Sequence, residues 1–541
     1  MTATVSKERK RKVRKQQKRS NKERLIKRKQ GQRPAVVCLI TALTWALIFI
    51  AFRFPWTMIP DGSASEISTT HILHDALLGG AALISAAMLL WSWRPQQIQR
   101  NSRVVLCCLI ALATAAYAIL LQGIAAWIPA PWHTLITYLL PTVLAPILAT
   151  LLLGVPGGIA TGMLASSILS IYAARGFPIF LNGMLATTII CHLIDNVRTR
   201  SKVAKVALLA GLAQVPIVSV LALQDQSVPF RLDLYSMQLL APVAAAMVAA
   251  FVALLLLPLL EHVFNITTNI SLLEFSDLGH PLLQRLALEA PGTYHHSLVV
   301  ANIAQSAAEA IDANGLEARI SAYFHDIGKL TKPEFFSENL FNRENPHDQL
   351  NPNMSTLIIT SHVKEGLSMA QLYKLPPCVH RAIQEHHGTT VLQCFHHKAV
   401  TSQQELALHD ASSKPLDDSQ FRYPGPKPST RISAIICLAD AVEAASRSIA
   451  KPSPANLEDL VDDIVRSRLD DGQLDECELS LLELSKVKRA FVFTLANMLH
   501  GRVAYPSNHE NRNNKPTDSD FPSEKDTAAL GSTAITARAS A

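Results

Sequence analysis

From Val104 to Ala174 the chain runs 71 residues without an Asp, Glu, Lys or Arg. A hydrocarbon core about 30 Å thick takes about 20 apolar residues as helix, so this stretch alone is long enough for three crossings. Turn-forming residues at Gln122–Pro131 and Gly154–Pro156 supply two breaks within it. Five further apolar runs, Pro34–Phe52, Ala76–Trp93, Gly176–Ile194, Val206–Leu223 and Leu234–Leu260, bring the expected number of transmembrane helices to about eight. A signal peptide is not expected, since the first run is as long as a full span and no small-residue cleavage site follows it.

Charge gives an independent reading of topology. The whole chain is +7, yet residues 1–35 hold 15 Lys or Arg against Glu8 and Glu23, which leaves the remainder at −6. The basicity is therefore a tail, read here as a topology anchor touching anionic headgroups, and no nucleic acid is expected as a partner. Lys- and Arg-rich short loops stay cytoplasmic. With eight spans the tail, Arg94–Arg103 and Asp195–Lys205 all fall on that side, and the loops between them hold only Arg53, Arg175 and Arg231. An even count also returns the chain to the cytoplasm after Leu260.

Beyond Glu261 the pattern changes to amphipathic helices with few strand-like runs, so an all-α soluble domain is expected. Loops are expected at Lys332–Pro352 and Val400–Thr430, and a polar, disordered segment at the C-terminus. The eight cysteines form no CxxC pair, consistent with a reducing compartment for this half. The expected division is a basic tail 1–33, a membrane domain 34–260, a soluble domain 261–506 and a disordered tail 507–541. Gly158 and Gly162 match the small-residue spacing of packed membrane helices.

Twelve of the 19 histidines lie between His280 and His409. His325-Asp326-Ile-Gly-Lys329 is the densest element, with His296 29 residues before His325, His362 37 after it, His386-His387 beyond, and then Asp440. Imidazoles and carboxylates on separate helices can converge on two divalent ions, and a carboxylate, having two oxygens, suits the bridging place. His295, His347, His380, His396, His397 and His409 are read as ordinary helix or surface residues. Glu443 and Arg447, four apart, are read as a structural ion pair.

The motifs Pro291-Gly-Thr-Tyr-His-His-Ser-Leu298, His325-Asp326-Ile-Gly-Lys329, Leu357-Ile-Ile-Thr-Ser-His362-Val, Glu385-His-His-Gly-Thr-Thr390, Phe421-Arg-Tyr-Pro-Gly-Pro-Lys-Pro428, Leu438-Ala-Asp440-Ala-Val-Glu-Ala-Ala-Ser446 and Asp471-Gly-Gln-Leu-Asp475 strongly resemble the bacterial multi-span membrane HD-domain phosphohydrolases, in particular cyclic di-AMP phosphodiesterases. Such proteins commonly carry a large extracytoplasmic domain after the first span, a place held here only by Arg53–His74.

The resemblance implies a polytopic helical membrane domain followed by a cytoplasmic all-α HD domain, in a bacterial inner membrane with both the N-terminus and the HD domain inside. It further implies two ions, manganese or iron, one held by His296, His325, Asp326 and Asp440 and the other by Asp326, His362 and His386. His387, expected to point away from His386 on its helix, would face the phosphate. Lys329 would contact phosphate or serve as surface charge, and Arg422 and Tyr423 would either contact substrate or belong to a rigid loop. The implied reaction is two-metal hydroxide attack on a cyclic dinucleotide, cyclic di-AMP giving linear pApA. The same ligands would serve another nucleotide such as guanosine tetraphosphate, and a receptor that binds nucleotide without hydrolysing it is the remaining alternative. The lipid bilayer is the other expected partner, and homo-oligomerisation stays open.

Overall fold

A computed structural model of the protein describes residues 101–500, apart from 126, 130–131, 173–176, 195–196, 225–230, 341–342, 410–416 and 450–452. The basic tail, the first two expected spans and the segment expected to be disordered lie outside the described residues. Among the described residues the chain is helical throughout, with a single isolated bridge between Val391 and Arg422.

The membrane half contains α1 (Asn101–Ala125), the short α2 (Leu135–Tyr138), α3 (Leu144–Tyr172), α4 (Phe177–Leu193), α5 (Arg200–Gln224) and α6 (Leu232–Phe264). By length and composition alone, four helical stretches among the described residues, Ser102–Ala125, Leu144–Ile171, Arg200–Gln224 and Leu232–Phe264, are long and apolar enough to cross a membrane, and α4 is a shorter apolar helix. Their faces are arranged inside out relative to a water-soluble bundle. On α6 the outward face carries Leu240, Phe251, Leu255 and Leu259, whereas Ala245, Ala246, Ala249, Ala250 and Ala253 are buried. Lipid tails are as apolar as leucine, so such helices gain by close packing of small residues rather than by hiding large ones. Gly211 of α5 sits so close to α6 that a Cβ there would lie 2.8 Å from Val243 Cα.

α3 is two helical arms joined at Gly154, whose φ of 79° and ψ of 180° are outside the helical region. Eight residues of straight helix span about 12 Å. A Cβ on Gly158 would nevertheless lie 2.0 Å from Thr150 Oγ1, eight residues earlier, so the second arm folds back along the first. The first arm, about 15 Å long from Leu144 to Leu153, is only half a bilayer in length. The middle of the three crossings expected in Val104–Ala174 is thus no continuous helix: it is interrupted between α2 and α3, at Leu139–Val143. Pro141 removes a backbone donor there. Irregular backbone at this depth is tolerated because protein surrounds it. Leu140, Val143 and Leu144 are buried, and Thr142 donates to Gln214 Oε1 at 2.9 Å, which also accepts from Asn182 Nδ2 at 2.9 Å.

α6 ends at Asn265, a left-handed cap with φ 52°. Glu261 in its last turn accepts from Thr268 N at 2.7 Å and Ser271 Oγ at 2.6 Å, tying α6 to the short α7 (Asn269–Glu274). The soluble half follows as α8 (Pro281–Glu289), α9 (Pro291–Ala310), α10 (Gly315–Phe324), α11 (Pro352–Leu372), α12 (Pro377–Glu385), α13 (Gln393–His409), α14 (Arg431–Ser446), α15 (Pro454–Asp470) and α16 (Leu481–His500), with several 3-10 turns between α10 and α11. α9 and α14 form its centre. Ala301, Ala304, Ala307 and Ala308 let neighbours approach α9, and α14 is buried almost throughout from Ser433 to Val442.

Gly162 has no room for a side chain, since a Cβ would lie 2.5 Å from Thr187, itself buried. Gly162→Leu is expected to lower stability by about 1–3 kcal/mol, the usual range for overpacking. Thermal unfolding in detergent checks this, with the outward-facing Leu209→Ala expected to leave the transition unchanged.

Candidate metal centre

Five helices each bring one part of the cluster. His296 lies in the second turn of α9, His325-Asp326 follow the last residue of α10, His362 is midway along α11, His386-His387 follow α12, and Asp440 is on α14. All but His387 are buried, and Asp326 is 1% exposed. The carboxylate of Asp326 divides its two oxygens between two sets of imidazoles. Oδ2 lies 3.3 Å from His325 Nε2 and 3.6 Å from His296 Nε2, and Oδ1 lies 3.5 Å from His362 Nε2 and 3.6 Å from His386 Nε2. Asp440 Oδ1 closes the first set at 3.0 Å from His296 Nε2. The result is two groups whose ligand atoms lie within 4.8 Å of one another, His296, His325, Asp326 and Asp440 in one, Asp326, His362, His386 and His387 in the other.

The tautomers follow from the partners of the other ring nitrogen. His325 Nδ1 faces Ala322 O at 2.7 Å, His362 Nδ1 faces Ile359 O at 2.6 Å, and His386 Nδ1 faces Ile383 O at 2.9 Å. A carbonyl oxygen only accepts, so each Nδ1 carries a proton, and in the neutral ring each Nε2 turns a lone pair inward. Two observations then fit a cation. His325 Nε2 and Asp326 Oδ1 are buried without a hydrogen-bond partner, and the Nε2 atoms of His362 and His386 are 3.3 Å apart. Two lone pairs at that distance repel unless a positive charge lies between them, and mixed imidazole and carboxylate donors suit first-row divalent ions.

The electrostatics agree. Burial pushes the His362 imidazole down to about 4, with Asp326 opposing, so it stays neutral and available as a donor. Burial, with His386 beside it, also holds His387 well below the usual histidine range. Burial of Asp326 favours its protonated form, but Lys329 and His325 reverse this and hold it well below the usual carboxylate range. Burial likewise works against charge on His325, yet Asp326 and Asp440 lift it to about 10, so a proton and a metal ion compete for its Nε2.

The position of His387 differs from the expectation that it points away from His386. The two rings are 3.9 Å apart, and His387 Nδ1 lies 3.4 Å from Asp440 Oδ2. Helical periodicity does not apply here because α12 stops at Glu385 and the doublet sits in a turn closed by Gly388 at φ 54°. That turn is clasped from two sides. Gln473, fully buried, accepts from Thr389 N at 2.9 Å and donates to Thr389 Oγ1 at 3.0 Å. Glu385 accepts from Ser429 N at 2.8 Å and Ser429 Oγ at 2.7 Å.

The remaining expected residues separate by role. Tyr423 is buried and stacks on His387, centroids 4.1 Å apart at 29°. Arg422 is bonded to both oxygens of Asp471 and to Thr389 O, which makes it part of the clasp. Lys329 is no surface charge: Nζ lies 2.8 Å from Asp326 Oδ2 and 2.7 Å from Glu338 Oε1. Glu443 and Arg447 pair as their spacing suggests, at 2.8 Å, but Glu443 also bonds His296 Nδ1. His347 and His396 stand outside both groups, bonded to Phe335 O and Asp418.

Residues 69–268 match a family described as a 7TM receptor with intracellular HD hydrolase, and residues 293–445 match the HD domain. The cyclic-di-AMP phosphodiesterase PgpH of Bacillus subtilis is 36% identical over 69% of this chain and 52% of its own length. The protein of the same name from Listeria monocytogenes is 31% identical over 79% of this chain and 58% of its own. A crystal structure of the L. monocytogenes PgpH HD domain is 38% identical, covers 41% of this chain and 100% of that one, and has a TM-score of 0.38. The chain spans about half the length of the curated relatives it matches. With both matches in the order that the helices and the His/Asp cluster require, the chain belongs to the membrane HD-domain hydrolases, in which a multi-span receptor half precedes an intracellular HD domain.

Proposed function

We propose that the protein is a membrane-anchored, metal-dependent phosphodiesterase that hydrolyses a cyclic dinucleotide, cyclic di-AMP to linear pApA. The observation that carries this reading is the carboxylate of Asp326 with one oxygen toward each histidine set. The names of the two PgpH relatives support the substrate. His296, His325, Asp326 and Asp440 would hold one ion and Asp326, His362, His386 and His387 the other, manganese or iron by their donor types. Two such ions together activate a water for attack at neutral pH and neutralise charge on a phosphoryl group.

The chain's own side chains set the approach. The His386 side chain is fully buried whereas those of His387, Asp440 and Lys329 are 20%, 12% and 12% exposed, so substrate reaches the cluster across that edge. Tyr423, packed flat on His387, fixes the ring that lies at this exposed edge. Lys329 has two carboxylate partners, and an ammonium has three hydrogens, which leaves one for a phosphate oxygen. Arg422 acts through the turn it clasps.

Orientation follows from charge. Arg200 at the start of α5 pairs with Glu274 at the end of α7 at 3.2 Å, so the basic residues Arg198, Arg200, Lys202 and Lys205 are at the end of the membrane half that adjoins the soluble half. By the charge rule that side is the cytoplasm of a bacterial inner membrane, and the N-terminal tail is assigned to it too.

Full-length protein in detergent, loaded with manganese, is expected to cleave cyclic di-AMP in preference to cyclic di-GMP and guanosine tetraphosphate. Asp326→Ala should lose both ions by elemental analysis and fall to background turnover; near-normal turnover of a folded variant would refute the site. Tyr423→Ala should raise KM about tenfold, the scale of one aromatic contact, with Tyr423→Phe close to the parent protein.

A further inference from the structure

The imidazoles of the cluster are not held alike. His325, His362 and His386 direct Nδ1 to a carbonyl of their own helix or its preceding turn, a neutral acceptor. His296 directs Nδ1 to the carboxylate of Glu443. Glu443 is 4% exposed and lies three residues after Asp440 on α14, so the two carboxylates share one face of the helix. Its oxygens have separate tasks. Oε2 meets His296, and Oε1 accepts from Arg447 Nε at 2.9 Å and Nη2 at 2.8 Å.

We infer that Glu443, clamped by Arg447, is a positioning residue for His296 and makes the two ion positions unequal. The position at His296, His325, Asp326 and Asp440 is the tight one, and that at Asp326, His362, His386 and His387 is the exchangeable one. The inference rests on the two-ion reading above. Its physical basis is donor charge. The first position alone has Asp440 as a ligand, through Oδ1, while Asp440 Oδ2 lies 3.4 Å from His387 Nδ1; it also shares Asp326 and has a third carboxylate behind an imidazole, which orients the ring and strengthens its lone pair. The second has no carboxylate of its own, only a share of Asp326, and its imidazoles His362 and His386 rest on carbonyls. Because α14 supplies both Asp440 and Glu443, one helix sets the difference.

The test is a calorimetric titration of chelator-stripped full-length protein in detergent with Mn2+ alone, followed by metal content after dialysis. The parent protein is expected to bind in two steps of different affinity and to keep one ion through dialysis. His362→Gln should remove the weak step. Glu443→Gln keeps an oxygen to accept from Nδ1 but removes the charge, and should weaken the tight step by about 10–100-fold, in the parent and in the His362→Gln background alike. Arg447→Met should shift the same step by less, and it decides the matter if Glu443→Gln does not fold, as judged by circular dichroism. Two equal steps in the parent, equal weakening of both steps in Glu443→Gln, or no shift in a folded variant would overturn the inference. A parent protein that binds no Mn2+ would instead overturn the two-ion reading.

Discussion

The soluble half is organised around one buried carboxylate. A carboxylate withdrawn from water is costly unless charge and hydrogen bonds compensate it, and Asp326 is 1% exposed. Lys329, three residues on, compensates Oδ2 directly, and the imidazoles of His296, His325, His362 and His386, which α9, α10, α11 and α12 bring against its two oxygens, are the donors through which bound cations would compensate the rest. The alanine-rich face of α9 and the nearly complete burial of α14 are consequences: imidazoles on different helices meet within 4 Å only when the backbones carrying them pack closely.

The same carboxylate explains the polar surroundings. Lys329 balances Asp326 and also pairs with a second anion, Glu338, which anchors its ammonium beside the cluster. Glu338 in turn accepts from Thr293 Oγ1 at 3.0 Å, and Asn339 beside it bonds the N-terminal turn of α9 through Thr293 N at 3.1 Å. The loop after α10 is thus fixed to the helix that carries His296. On the opposite side, Gln473, Arg422 and Glu385 hold the turn of His386 and His387. A side chain as large as Gln473 has room there only because residue 388 is glycine, where a Cβ would lie 2.3 Å from its Oε1.

Much of this was legible in the sequence, for reasons that also mark where legibility ends. His296, His325, Asp326, His362, His386 and Asp440 stand in an order and spacing that a resemblance can carry, and the structure gathers all six. The orientation of His387 was not legible, because helical spacing misleads where a helix stops, and the stop after Glu385 depends on contacts with residues 429 and 473. Glu443 was legible as a partner of Arg447, four residues away, but not of His296, which is 147 residues distant. In the membrane half, composition marks apolar segments and breaks. It does not reveal that the chain bends at Gly154 so tightly that Gly158 meets both Thr150 and, on α4, Cys191.

The seam between the halves joins the last membrane helix to the helix that leads into the cluster. α7 is six residues long and contributes to two cores, with Ile270 buried among membrane-half residues such as Leu257 and Leu272 buried among soluble-half residues such as Leu282 and Ile320. Its first residue, Asn269, accepts from Asn314 Nδ2 at 2.7 Å, and Asn314 caps α10 by accepting from Glu317 N at 3.2 Å. α10 is ten residues long and leads directly into His325 and Asp326. The end of the last membrane helix is therefore separated from Asp326 by one clasp at Glu261, one short helix and one capped helix, all ordered by hydrogen bonds or buried side chains. This seam ties the end of α6 to the helix that leads into His325 and Asp326, so a shift of α6 would be passed along ordered contacts toward the cluster.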